Sequence, residues 1–411
     1  MPENHPSRYR WLMLGLSAAT GTFVAALPFN CMPVLFSEIA SELGLNLVQV
    51  GSVWGIASLA GVFVSLLAGV LGDRFGIHRI LTMTCLLIGI TGALRGVSNS
   101  FITLMVTMFG YGLVRAMLPV NITRTIGLWF KGQDLGMANG VVGMGMGLGL
   151  MLGPAISATL LSPLLGGWRN VLFLYGGISV FIGLLWFLLG REPRPAETTA
   201  DDATDESSAP PFRQSFSRII HIRSLWLLAF TMMFRIGSIT GMTGYLPLYL
   251  REQGWATASA DHTLTAFFAI STIMVIPLAS LSDRIGSRKA ILFAALLANT
   301  VSLALLPLVR GNAVWLLVIL SGIFMDGFMS VLVTTLLETE GVGMRYSGTA
   351  LGVVFTISQL GGVISPPLGN SFAGINTGLP FVVWMVFSIL AMVTLSLSKE
   401  TGWRKKAGRI A

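Results

Sequence analysis

Three ionisable side chains lie deep inside long apolar stretches of this 411-residue chain: Arg115, Arg235 and Asp326. Each sits near the middle of its stretch. A charge at the centre of a bilayer costs about 2.5–3.5 kcal/mol on insertion scales, so such residues face protein or water and are functional by default. Their types suggest a division of labour. An arginine stays protonated and offers a planar fork of donors that fits a carboxylate. A carboxyl group balanced between burial, which favours its proton, and a nearby arginine, which favours release, takes a proton in one state and gives it up in another. The expectation is that Arg115 and Arg235 hold an anionic group of a substrate while Asp326 binds a coupling proton. The competing reading is a structural ion pair between Asp326 and one arginine, with the other arginine on a carbonyl or an end cap.

Uncharged polar groups on the same stretches are further candidates for substrate binding: Asn30, Tyr111, Asn121 and Tyr245, with Gln359 a weaker addition. Each could hydrogen-bond a ligand, or bridge helices, since buried polar groups need partners. Catalytic chemistry is not legible. The chain has no Ser-His-Asp set and no paired catalytic carboxylates, and Cys31 and Cys85 fall in apolar runs without metal-ligand spacing. No enzyme, metal or cofactor is expected.

Membrane helices must position these groups. The chain is 54% hydrophobic and 11% charged, against roughly 25% charged in soluble domains. The net charge of +8 sits in short loops rather than in a stripe with interleaved aromatics, which argues against nucleic acid. Twelve apolar runs reach or exceed the span of a bilayer, near 11–36, 47–70, 79–98, 101–125, 136–162, 168–190, 224–250, 261–282, 288–309, 313–337, 346–371 and 377–398. In hydrocarbon the backbone must satisfy its own hydrogen bonds, so these runs are helices. The first is too long for a signal core and reads as a retained helix. With both termini in the cytoplasm, only Arg95, Arg169, Arg251 and Arg310 fall outside, as the positive-inside rule requires. The expected architecture is therefore an all-α, multi-pass protein of the cell membrane, embedded in lipid. It comprises an N-terminal six-helix bundle (1–190), a cytoplasmic linker expected to be disordered (191–222), and a C-terminal six-helix bundle with a short tail (223–411).

The two bundles repeat one another. Gly69-x-Leu71-x-Asp73-Arg74-x-Gly76 returns as Ala279-x-Leu281-x-Asp283-Arg284-x-Gly286, about 210 residues later. Pro33 and Glu38 at the end of the first run match Pro247 and Glu252 at the end of the seventh. Gly140, Gly149, Gly153 and Pro154 in the fifth match Gly352, Gly361, Ser365 and Pro366 in the eleventh. Parallel repeats of this kind are a hallmark of secondary transporters.

This pattern resembles the major facilitator superfamily across essentially the whole chain. Gly69 to Gly76 matches that family's cytoplasmic signature between helices two and three, and Gly140 to Pro154 matches the fifth-helix signature of its exporters. The closing glycine pair of the latter is Ser157-Ala158 here. The resemblance implies an alternating-access carrier, working as a monomer, with helices 1, 4, 7 and 10 around a central cavity. It implies an inner gate made by Gly69, Asp73, Arg74 and Gly76, by Arg124, and by Asp283, Arg284 and Gly286. Gly140, Gly149, Gly153 and Pro154 are expected to pack the fifth helix closely against neighbours. The substrate expected is a small organic anion, moved with a proton. The alternative is proton-driven export of amphipathic drugs, but the arginine usual in the fourth helix of such exporters falls near Val106 and is absent. Nitrate carriers of the family hold arginines deep in helices two and eight, which this chain lacks, so nitrate is disfavoured.

Overall fold

The computed structural model describes residues 8–64, 76–191, 212–343 and 346–402. Among them are twelve helices long and apolar enough to cross a membrane. They are α1 (Tyr9–Leu43), α2 (Leu47–Val64), α3 (Ile77–Val97), α4 (Phe101–Trp129), α5 (Asp134–Leu165) and α6 (Trp168–Leu189). The second set is α7 (Arg223–Glu252), α8 (Thr257–Ile285), α9 (Arg288–Leu305), α10 (Asn312–Leu337), α11 (Ser347–Ser371) and α12 (Leu379–Leu397).

Their ends follow local chemistry. Ser100 and Thr103 form a capping box that starts α4. Ser287 caps α9 by accepting from the Ala290 N–H. Gly76 and Gly286, the last residues of the two signature copies, have φ of +78° and +69°. A side chain is disfavoured at that backbone angle, so glycine is what the reversal requires.

The helices divide into two compact units, Met1–Arg194 with Leu246–Thr265, and Pro195–Tyr245 with Ala266–Ala411. This shifts the expected boundaries, because the end of α7 and the start of α8 group with the first unit. Part of the stretch expected to be a disordered linker is also ordered: Phe212–Ile219 is a short helix. Ile219 is fully buried in the second unit's core beside Leu225, Leu228 and Tyr346. Apolar residues at 216, 219 and 220 share one helical face, which is the reason it docks. The rest of that linker, 192–211, lies outside the described residues.

Within each unit, helices approach through glycine. In the first, a Cβ on Gly149 would lie 2.4 Å from the Thr22 carbonyl oxygen, and one on Gly153 3.0 Å from that of Leu27, so α5 lies directly on α1. In the second, a Cβ on Gly361 would lie 1.9 Å from the Met233 carbonyl oxygen, and α11 lies on α7 in the same manner. Expected packing at Gly140 is not found. Nothing described lies within 4 Å of its missing Cβ, since it faces away from α1, and Gly145 makes the contact instead, 2.8 Å from the Ala18 carbonyl oxygen. Pro154 sits inside the α5 helix just before a π-helical turn, Ser157–Leu161, the kind of local irregularity proline causes.

Four helices are broken where polar side chains gather. α1 contains a π-helical turn, Gly21–Ala26, followed by Pro28. α4 divides into Phe101–Arg115 and Leu118–Trp129, with Pro119 opening the second piece. α10 divides at Phe324 into Asn312–Ile323 and Met325–Leu337. Together with the α5 turn, these irregular points expose carbonyls and helix ends inside an apolar scaffold.

Candidate functional site

Arg115 closes the first piece of α4. Its Nε donates to the Ala25 carbonyl at 3.0 Å, at the end of the π-turn of α1. Its guanidinium carbon stands 3.7 Å from the centre of the Phe29 ring, and that ring stacks on Trp54 at 4.6 Å. A cation over an aromatic face gains about 0.5–2 kcal/mol. A helix C-terminus also favours positive charge. The terminal nitrogens of Arg115 make no hydrogen bond among the described residues.

A second arginine in the same unit escaped the sequence reading. Arg95, assigned above to an external loop, is fully buried. Its Nε donates to the Gly92 carbonyl at 3.2 Å and its Nη2 to the Pro28 carbonyl at 3.1 Å. Its guanidinium lies 3.8 Å from the centre of the Tyr111 ring. Arg95 lies inside the 79–98 run, near the end that the positive-inside count places on the outer side. Tyr111 is buried and its hydroxyl has no hydrogen-bond partner.

Asn30 and Asn121 are both buried. Asn30 donates to the Leu150 carbonyl at 2.5 Å, tying α1 to α5. Asn121 donates to the Met117 carbonyl at 2.8 Å across the α4 break, while its Oδ1 is buried without a partner.

The second unit arranges its charges differently. Arg235, on α7, is 2% exposed, and its Nε, Nη1 and Nη2 are all buried without a hydrogen-bond partner. Its guanidinium lies 5.2 Å from the centre of the Phe328 ring. Asp326 lies in the first turn of the second piece of α10, where a helix N-terminus favours negative charge. Its Oδ2 accepts from the buried Ser271 hydroxyl at 2.5 Å, and that hydroxyl accepts from the Asp326 N–H at 3.1 Å. Arg235 and Asp326 feel one another electrostatically, yet no ion pair joins them. The simple structural ion pair is therefore not what forms. Tyr245 donates to the Thr377 carbonyl at 3.1 Å and packs on Phe381 and Trp384, a helix-bridging role. Gln359 is half-buried on α11.

Arg115 and Asp326 occupy matching places in the two units. Each lies one helical turn after a glycine that lets a neighbour approach. A Cβ on Gly112 would be 2.9 Å from the Ala57 carbonyl oxygen, and one on Gly322 2.7 Å from that of Phe267. Each then sits at a helix break, the cation at a C-terminus and the anion at an N-terminus.

Of the expected gate, Gly69, Asp73 and Arg74 lie outside the described residues. Arg124 lies near the end of α4 and is engaged. In the second copy, Asp283 pairs with Arg288 at 2.5 Å, not with the exposed Arg284. Arg288 also meets Glu338 at 3.1 Å. Glu400 accepts from the Ser287 hydroxyl and from the backbone N–H groups of Arg288, Lys289 and Gly402. Burial opposes its charge, but the Ser287 hydroxyl and those N–H groups hold its carboxyl below the usual glutamate value. A cavity of about 530 Å³ beside this network is lined by Arg223, Glu338, Lys399 and Glu400 and contains neither Arg235 nor Asp326.

Comparison with known proteins gives the family. The model of the Major Facilitator Superfamily matches residues 18–366 and again 254–409. The chain is 28% identical to the probable nitrate/nitrite antiporter NarK1 of Thermus thermophilus, over 96% of this chain and 91% of that protein. It is 25% identical to the probable sulfoacetate transporter SauU of Cupriavidus necator, over 84% and 83% of the two chains. Among solved structures, a bacterial homolog of the human lysosomal transporter Spinster superimposes with a TM-score of 0.78 at 16% identity, over 96% of this chain and 97% of that one. That likeness concerns the fold.

Proposed function

This chain belongs to the major facilitator superfamily, and within it we propose a carrier that moves a small organic anion by alternating access, coupled to a proton bound at Asp326. It is a multi-pass membrane protein with a transport function and not an enzyme. The observation that carries the anion reading is Arg235. A permanently charged guanidinium buried with three unpartnered nitrogens costs several kcal/mol unless an anion satisfies it. The terminal nitrogens of Arg115 offer the same unfilled fork in the first unit. Asp326 supports the coupling role. It is held by one hydroxyl rather than neutralised by an arginine, so its charge can change without breaking an ion pair. Similar proteins named for nitrate/nitrite and sulfoacetate transport agree with a small anion.

Nitrate itself fits less well. α2 has no basic residue, and α8 has Arg284 only in its last turn. The proposed location is the bacterial cytoplasmic membrane, with both termini inside, where the turns ending at Gly76 and Gly286 serve the inner gate.

Uptake by the purified protein in liposomes tests the reading. Labelled sulfoacetate, a short monocarboxylate, nitrate and a cationic dye form the panel, with an acid-outside pH step. Organic anions are expected to accumulate in the wild type, and Arg115→Gln and Arg235→Gln to lose that accumulation. Normal transport in both variants, or movement of the cationic dye alone, overturns the anion assignment and in the latter case restores drug export.

A further inference from the structure

Arg95 and Arg115 set two full positive charges against one short stretch of α1, and no carboxylate meets either among the described residues. Their accepting carbonyls, Pro28 and Ala25, are three residues apart, roughly 5 Å along a helix axis. Each guanidinium lies within the electrostatic reach of the other. Like charges so placed in a poorly screened interior repel, and backbone carbonyls return only partial charge. Among the described acids of the first unit, Glu38 bonds Ser162, Glu42 bonds Trp168 and Arg169, Asp134 pairs with Arg10 and Asp261 with Arg251, while Glu252 lies at the far end of α7. In the second unit Arg235 at least has one carboxyl group, Asp326, within electrostatic reach, though no ion pair joins them. Among the described residues, Arg95 and Arg115 therefore keep two positive charges that no carboxylate meets. A buried polar group, Tyr111, lies beside Arg95. The Tyr111 hydroxyl is buried and unpartnered, its ring lies against Arg95, and both arginines act on it.

We propose that the first unit holds a small dianion, a dicarboxylate or a sulfonated carboxylate, with Arg115 gripping one acid group and Arg95 supplying the second charge across Tyr111. This rests on the organic-anion reading above and narrows it to doubly charged substrates. Arg115, part-exposed and with free terminal nitrogens, touches the ligand. Arg95 is a positioning and specificity residue, because it is fully buried and its Nε, Nη2 and Nη1 are held by Gly92, Pro28 and Met108.

Affinity of the purified full-length protein for paired anions of equal chain length tests this, with propionate against sulfoacetate and butyrate against succinate, at pH 7. The dianion of each pair is expected to bind at least about tenfold tighter. Arg95→Gln is expected to cost the dianion far more affinity than the monoanion and so bring the pair to near parity, and Arg95→Lys to keep the preference. A purely structural arginine would weaken both anions alike. Equal binding in the wild type, or equal loss of both anions in Arg95→Gln, overturns the proposal. If Arg95→Gln does not fold, the wild-type ratio and Arg95→Lys decide it on the same terms. Monoanion binding without dianion preference sinks the dianion assignment alone. Binding of cations and of no anion sinks the organic-anion reading with it.

Discussion

The two units share a plan and differ in what they do with charge. Both thread a broken helix past a glycine contact and place one ionisable group at the break. In the first that group is Arg115, whose neighbour Arg95 is tied to carbonyls and an aromatic ring. In the second it is Asp326, whose neighbour Arg235 makes no hydrogen bond and has only the Phe328 ring beside it. The repeat supplies geometry, and the halves differ in charge: the first sets two arginines near its break, the second an arginine and a carboxyl group. A second contrast points the same way. The second unit joins α7, α9, α10 and α12 through a neutral knot in which Asn299 bonds Ser238, Ser388 and Ser321, with all four buried. A satisfied knot of this kind stiffens a bundle without adding charge to the site.

The contrast breaks most sharply at Arg235. Arg235→Gln is expected to cut anion transport by about 100-fold, roughly 2.7 kcal/mol of transition-state binding, and yet raise the melting temperature, because an unpaired buried charge is removed. Arg115→Gln, which gives up a carbonyl bond and a ring contact, is expected to lose transport and lower the melting temperature. Melting temperatures that fall together in both variants would erase the distinction drawn between the units.

The glycine contacts give the next largest effects. Gly361→Ala drives a methyl group into the Met233 carbonyl and is expected to cost more than about 3 kcal/mol. Gly140→Ala meets open space and is expected to stabilise by about 0.5–1 kcal/mol through helix propensity. Thermal unfolding in detergent checks both.

The smallest effect concerns Glu400. Its carboxyl is held below the usual glutamate value, so its contribution is complete above about pH 4.3 and is lost as pH falls through the depressed value. Wild-type stability is expected to fall on acidification through that window more than that of Glu400→Gln, and parallel curves would refute the Glu400 bonding described here.

Much of this was legible in the residues. The sequence-based run 168–190 appears as Trp168–Leu189 and the run 346–371 as Ser347–Ser371, because apolar length alone defines a membrane helix. Arg115, Arg235 and Asp326 were found for the same reason: a charge stands out in an apolar stretch. What stayed hidden depends on which way a side chain turns. Arg95 looked like a loop residue because it stands at a helix end, but its long stem reaches back to Pro28. Gly140 and Gly145 share small-residue spacing in sequence, yet only Gly145 faces α1. Asp283 and Arg284 adjoin in the sequence, but the reversal at Gly286 brings Arg288, at the start of α9, onto Asp283. Helix breaks such as Phe324, which has no proline, carry no local signal at all.

The central claim is that the arginines hold the anion and Asp326 carries the proton, and one comparison tests it directly. Wild type and Asp326→Asn are reconstituted in liposomes, and labelled anion is followed both in exchange across equal pH and in accumulation under an acid-outside step. The account predicts that Asp326→Asn exchanges anion at near the wild-type rate but no longer accumulates it when the pH step is applied. Accumulation by Asp326→Asn equal to that of the wild type would contradict it.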